Sequence, residues 1–224
     1  VIHSLFVENR TAVLKMNPVN AYLRAPFEKA FAPLIAAGYV SIVDGGAEVG
    51  GHLVNHSRIS HVHLTGSAET HDRIVWGPPG PEQKARKERG EPLLKKTVTS
   101  ELGNISPVLV APYLYSTSEI RAMADLIATQ LTNNASFNCN AGKMLVLPKG
   151  FLQRKLLLDT LVRALEKVPL RKAYYPGAQD RHAALTGGRE AVIHVGSPEP
   201  GALPWSLVTE VDPSSLTEPL FSTE

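Results

Sequence analysis

A single cysteine, Cys139, stands in a chain of 224 residues. An internal disulfide framework is thereby excluded, and a reducing compartment is the simplest home for the free thiol, so a cytoplasmic setting is expected. No apolar run reaches the roughly 18 residues that a membrane-spanning helix needs. The opening Val1-Ile2-His3-Ser4-Leu5 lacks the charged-then-apolar layout of a secretory leader and has no initiator Met. An excess of one charge is missing too: 23 Lys and Arg face 21 Asp and Glu. Without a clustered basic face there is no electrostatic case for nucleic acid. Five histidines gather at His52, His56, His61, His63 and His71, but nothing nearby completes a ligand shell, and no metal site is expected. What is present is an apolar fraction of 43%, close to that of ordinary globular chains and enough for a core. The end, Phe221-Ser222-Thr223-Glu224, carries no terminal helix or tail, and both ends read as cuts within a longer protein.

The first hundred residues alternate strand and helix signals. Thr11 to Lys15 is β-rich; a helical stretch follows from about Asn20 to Ala37, with a break expected at Pro26 or Pro33. Tyr39 to Val43 reads as a strand, Ala47 to His56 as a short helix, His61 to Thr65 as a strand, and Gly66-Ser67 as the opening of another helix. Three strand–helix units of this length predict an α/β fold with a parallel sheet and helical crossovers. Residues 77–92, rich in Pro, Gly and charge, predict a solvated surface insertion, because no apolar face can form there. Further on, strands are expected at Thr97 to Leu102, Pro107 to Val110 and Lys143 to Leu147. A helix capped by Ser118 would bury Ile120, Met123, Ala124, Ile127, Ala128 and Leu131, and Phe151 to Lys167 is strongly amphipathic. After Pro169 the chain reads as irregular, with short strands at Ala191 to Val195 and Leu207 to Val211.

Few residues have the makings of chemistry. Cys139 lies on a short polar connection between a helix and a strand, a place where active-site residues often sit; by itself a lone cysteine is more often a small buried hydrophobe than a nucleophile. Glu101 ends a β-rich run beside Gly103, which permits a turn that would aim the carboxylate into a cleft, where it could take a proton from a thiol or a water; an exposed acid at a sheet edge is the plainer reading. Thr65-Gly66-Ser67 joins a strand to a helix start, the arrangement that sets backbone N–H groups and a hydroxyl against a phosphate, although His71 stands where a GxGxxG would have a glycine. Lys15 closes the first strand, at the end where α/β sheets bind ligands.

The order of these pieces is more telling than any one of them. Val13-Leu14-Lys15, Glu48-Val49-Gly50, Leu64-Thr65-Gly66-Ser67, Glu101-Leu102-Gly103-Asn104 and Cys139 follow one another, with Glu101 and Cys139 38 positions apart. Together they resemble the central part of the aldehyde dehydrogenase superfamily, from about Thr11 to Leu147 and more loosely to the end. Asn17-Pro18-Val19-Asn20 and Thr132-Asn133-Asn134 resemble a divergent, mainly bacterial branch. The resemblance implies a partial Rossmann-like nucleotide-binding domain over 1–102, followed by a truncated α/β catalytic domain over 103–224. It implies NAD or NADP as cofactor, a small aldehyde as substrate, and a homo-oligomer of the kind family members form. By position, Lys15 would bind the adenosine ribose, Gly66 and Ser67 the pyrophosphate, and the Leu102 carbonyl would face the nicotinamide amide. Cys139 would attack the aldehyde, and Glu101 would serve as its base or activate the hydrolytic water.

Several positions depart from the family pattern. Leu64 replaces a phenylalanine, Gly103-Asn104 a glycine pair, and Ser136-Phe137 a glycine–glutamine, which reshapes the approach to the thiol. Glu218-Pro219-Leu220-Phe221-Ser222 resembles the segment that holds the nicotinamide ribose, but Pro219 takes the glutamate's place. The asparagine that completes the family's oxyanion hole belongs to a segment before Lys15; in comparable sites the loss of such a donor costs roughly 3–4 kcal/mol. The expected reaction is oxidation of an aldehyde to an acid through a cysteine thioester. The alternatives are a non-catalytic nucleotide- or partner-binding piece of the same fold, and an acylating reductase of the superfamily.

Overall fold

The computed structural model describes residues 1–215 and 217–223. The chain divides into two compact units, Val1–Glu101 and Leu102–Glu224.

The first unit opens with a short helix, α1 (Ile2–Phe6), and a strand, β1 (Ala12–Lys15), which pairs in parallel with β2 (Val40–Val43), Ala12 opposite Val40 and Lys15 opposite Val43. The crossover between them is broken three ways: a 3₁₀ turn at Pro18–Leu23 capped by the Asn17 side chain, then α2 (Arg24–Ala30) and α3 (Ala32–Ala36). The break falls at Phe31, and Pro33 lies in the first turn of α3, where its missing N–H leaves no bond unmade. Phe27, Phe31, Leu34 and Ile35 from this crossover lean on a small buried core of Met16, Val40 and Ile42. A glycine is obligatory at position 45, ahead of α4 (Ala47–Asn55): its φ is 144°, and a Cβ there would stand 2.4 Å from Val49 Cγ2.

The strand β3 (His61–Gly66) and helix α5 (Ala68–Trp76) follow as expected. β3 does not join β1 and β2, however; its hydrogen-bonded neighbour is β4 (Thr97–Leu102), in a second two-stranded sheet. The expectation of one parallel sheet from three consecutive units is corrected accordingly. Residues 77–92 are not irregular throughout, for here runs a helix, α6 (Pro81–Arg89), which buries none of its residues. Its causes are local. Pro81 takes the first turn, Glu82 answers the positive end, Arg86, Lys87 and Arg89 answer the negative end, and Gly90 ends the helix in the left-handed region at φ 66°. Glu82 and Arg86 pair at 3.2 Å across one turn. The helix docks through polar groups, with Gln83 Nε2 donating to the Gly77 carbonyl at 2.6 Å and Lys87 paired with Asp72, so an apolar stripe is not what holds it.

In the second unit, β5 (Ser106–Leu109) pairs in parallel with β6 (Gly142–Val146). The crossover helix α7 (Thr117–Thr132) buries Ile120, Ala124, Ile127 and Ala128, and α8 (Arg154–Leu165), which packs on it, buries Leu157, Leu161, Ala164 and Leu165. Both sets follow the spacing of a single helical face. With Val110, Phe151, Val195 and Trp205 they form the main core. The cap of α7 is Ser116, not Ser118. Ser116 Oγ accepts the Glu119 N–H at 3.3 Å and the Glu119 carboxylate accepts the Ser116 N–H at 2.7 Å, a reciprocal box that Ser118, inside the helix, cannot make. Beyond Pro169 the irregular reading is corrected by a further helix, α9 (Ala178–Thr186), which buries only Ala178 and so leaves no periodic signal in the sequence. β7 (Val192–Val195) and β8 (Trp205–Val208) close the fold as an antiparallel pair.

Candidate active site

Lys15 ends β1, at the carboxyl edge of the parallel pair, and is half-buried. Its stem lies over α4 where that helix has Gly50: a Cβ added at Gly50 would sit 3.9 Å from Lys15 Cδ and Cε. That is ordinary van der Waals contact, so the lysine stem runs beside the helix at Gly50 and an alanine there would also be accommodated.

Gly66 closes β3, and Ser67 caps α5, its hydroxyl accepting the Thr70 N–H at 3.2 Å. The cap and the first turn are exposed, so the helix N-terminus presents its amides outward. Glu69 in that turn pairs with Arg73 at 3.1 Å, which offsets its charge. On the neighbouring strand of this sheet, Glu101 is exposed and its carboxylate has no hydrogen bond or ion pair among the described residues. The first unit therefore brings Gly66, Ser67 and Glu101 to one small sheet, and sets Lys15 on another. Leu102, half-buried, is the last residue of β4. On β3, His61 and His63 share a face as their spacing requires, and both rings bond the Thr99 hydroxyl, at 3.1 and 2.9 Å. Among the described residues no three His, Cys, Asp or Glu side chains are grouped to hold a metal ion.

Cys139 belongs to the second unit. Helix α7 stops at Thr132, whose buried hydroxyl donates back to the Ala128 carbonyl at 2.8 Å. The chain then makes a 3₁₀ turn over Asn133–Ser136, and the thiol emerges exposed just before β6. Asn134, Ala135 and Ser136 all lie in the left-handed region, with φ of 51°, 53° and 66°. For residues bearing a Cβ that conformation costs roughly 1–2 kcal/mol each, less for Asn, and it persists only where the surroundings over-determine it. They do so here. Asn134 Oδ1 accepts from the Tyr174 hydroxyl at 2.9 Å, and its Nδ2 donates to Asn138 Oδ1 at 3.1 Å, on the residue before the thiol. The Phe137 ring lies 4.9 Å from those of both Tyr174 and Tyr175. Burial pushes the Tyr175 phenol above its ordinary value, with the neighbouring Tyr174 adding to the effect. Sequence reasoning did not find the two tyrosines. The one legible hint is Asn134, since asparagine tolerates left-handed backbone better than most residues.

Near the end of the chain, Glu218 is occupied within the fold. Arg189 holds it through two bonds of 2.6 and 3.2 Å, and its Oε1 also accepts the Leu220 N–H at 3.0 Å. The guanidinium first, and then the backbone donor, keep this carboxyl below the usual carboxylate range.

The model of the aldehyde dehydrogenase family matches residues 3–184, most of the chain, and the chain belongs to that family. Among curated proteins it is similar to a 1-pyrroline-5-carboxylate dehydrogenase of Bacillus licheniformis, 29% identical over 176 residues that make up 78% of this chain and 31% of the relative. It is also similar to 1-pyrroline-5-carboxylate dehydrogenase 2 of Bacillus subtilis, 28% identical over the same shares. The chain thus spans about a third of the length of these relatives. Among solved structures the fold is like that of a substrate-bound Staphylococcus aureus AldH, with a TM-score of 0.67 at 19% identity, covering 94% of this chain and 45% of the other. Proline utilization A of Bradyrhizobium japonicum gives 0.65 at 18% identity, covering 88% and 20%. The α/β class expected from the sequence is that of this family.

Proposed function

We propose that the chain carries the nucleotide-binding and thiol parts of an NAD(P)-dependent aldehyde dehydrogenase, with Cys139 as nucleophile and Glu101 as base. The observation that carries this reading is the thiol itself. The only cysteine of a family member lies exposed on a strained polar turn, between a helix and a strand that fix both ends of that turn. The residues of the first unit fit a dinucleotide: a lysine stem at a strand's carboxyl end beside a glycine, and a serine-capped helix start whose amides face outward.

In this reading Lys15 binds ribose hydroxyls, and Gly66 with Ser67 holds the pyrophosphate. The Leu102 carbonyl accepts from the nicotinamide amide. Glu101 takes the Cys139 Sγ proton and passes it on to water, and the thiolate adds to the aldehyde carbon, so that a C–S bond forms and the carbonyl π pair moves to oxygen. The backbone N–H of Cys139 helps to hold that oxyanion. A nicotinamide, when bound, supplies the hydride acceptor. Glu101 then takes a proton from water as its oxygen attacks the thioester carbon; the C–S bond breaks, and the acid and the thiol are released. A base poised for water favours hydrolysis over transfer to another thiol. The Bacillus relatives make 1-pyrroline-5-carboxylate the first substrate to try.

The test is reduction of NAD or NADP followed by absorbance, with acid product measured alongside. Cys139→Ser should abolish turnover, a loss of about a thousandfold or more. Glu101→Gln should slow acid release by roughly a hundredfold to ten-thousandfold. Undiminished oxidation by Cys139→Ser would rule the proposal out. Tight NAD binding with an unreactive thiol would favour a binding role, and an undiminished Glu101→Gln an acylating reductase.

A further inference from the structure

The turn that presents Cys139 is tied to a segment that begins 35 positions further along the chain. Tyr174 reaches it twice. Its hydroxyl donates to Asn134 Oδ1 at 2.9 Å, and its ring lies edge-on to Phe137 with centroids 4.9 Å apart. Asn134 passes the constraint on, because its Nδ2 donates to the side chain of Asn138, the residue next to the thiol. Tyr175 lends only its ring, 4.9 Å from Phe137 and 5.0 Å from Tyr174; its hydroxyl makes no hydrogen bond among the described residues. Backbone bonds within the turn, from Phe137 N–H to the Asn134 carbonyl and from Ala141 N–H to the Asn138 carbonyl, are short-range. They leave unexplained why three successive residues with side chains stay left-handed. An outside clamp supplies the reason.

We propose that Tyr174 is a positioning residue for Cys139: its hydroxyl, acting through the Asn134 and Asn138 side chains, and its ring, acting through Phe137, hold the left-handed turn in the form that presents the sulfur. This rests on Cys139 being the nucleophile of the reading above, but the clamp has a readout of its own. Because Cys139 is the only cysteine, iodoacetamide reports on that thiol alone. Cutting the Tyr174–Asn134 bond relaxes the turn, so an already exposed sulfur becomes easier to alkylate, while turnover that needs a fixed sulfur position becomes slower.

The experiment compares the parent chain with Tyr174→Phe, Asn134→Ala, the double variant and Tyr175→Phe, each checked for an unchanged thermal midpoint. Tyr174→Phe should be alkylated at least about threefold faster, and the double variant no faster than the quicker single one, as expected of two groups acting through one bond. Tyr175→Phe should match the parent. With aldehyde and cofactor, Tyr174→Phe should lower kcat by about three- to tenfold with KM little changed. Alkylation of Tyr174→Phe at the parent rate, additive single effects, or an equal change in Tyr175→Phe would overturn the clamp. Absence of aldehyde oxidation in the parent would remove the enzymatic reading and leave the alkylation comparison to decide the clamp on its own.

Discussion

The two units secure themselves by different means. In the second, α7 and α8 meet over a continuous apolar core in which Ile120, Ala124, Leu157, Leu161 and Leu165 are almost wholly removed from water. In the first, the buried cluster is three residues, Met16, Val40 and Ile42, with Val75 and Leu94 buried apart from it, and α6 is held by the Lys87–Asp72 ion pair and by carbonyl contacts. The unit that carries the thiol rests on dense packing; the unit that carries Lys15, Gly66 and Ser67 rests on short elements, half-buried aromatics and polar ties. Packed apolar interiors resist local opening, whereas exposed hydrogen bonds and sparse cores yield to it. On the proposed reading, a rigid seat suits Cys139 as a nucleophile, and a looser one is compatible with residues that would bind a cofactor.

The difference between the two units should show most directly in their cores. Leu161→Ala should destabilise the second unit by about 2–5 kcal/mol, the usual result of a cavity where nothing can collapse. Val40→Ala should cost the first unit less, about 1–2 kcal/mol, since it removes fewer atoms from a thinner core. Urea unfolding measures both. Native-state hydrogen exchange should place the slowest amides in α7 and α8; slower amides in β1 and β2 would reverse the contrast. A smaller effect is expected at the α7 cap, where Ser116→Ala removes one side of the reciprocal box and should cost about 1 kcal/mol. Faster exchange at the first amides of α7 would show the same loss locally.

The smallest effect should appear with pH. His182 Nε2 and His194 Nδ1 both approach the Ser206 hydroxyl at 2.8 Å, and their rings lie 5.9 Å apart. Burial first, and then the charge of His194, hold the His182 pKa below its ordinary value. The unfolded chain therefore binds the proton more readily than the fold does. The stability this confers is present above the unfolded pKa, about 6.5, and is lost as pH falls through the lowered folded value. A thermal midpoint followed downward from about pH 7 should fall more steeply in the parent than in His182→Gln; equal slopes would leave the histidine pair without a part in the acid response.

Much of the fold was legible because burial writes a period into the chain. The faces of α7 and α8, the strands β1 and β2, and the proline break in their crossover all follow from the spacing of apolar and breaking residues. The failures have the opposite cause. Helix α6 is specified by Glu82, Arg86, Pro81 and Gly90 rather than by an apolar stripe, and α9 buries a single alanine, so neither shows a hydrophobic period. Ser118 was as good a cap as Ser116 by residue type; the Glu119 three positions after Ser116 is the local feature that separates them.

Of the candidate site, residue types and order along the chain were decided by the sequence: a strand-end lysine, a glycine–serine helix start, an acid next to a strand's last residue, and a thiol between helix and strand. These are local properties, set by nearest neighbours and by periodicity. The tertiary structure alone decided that β3 pairs with β4 and not with β2, and that Glu218 is taken by Arg189. It also set Tyr174 and Phe137 around the turn that bears Cys139. Those outcomes depend on groups far apart in the chain meeting in space, and pairwise contact at a distance leaves no repeat in the sequence by which to read it.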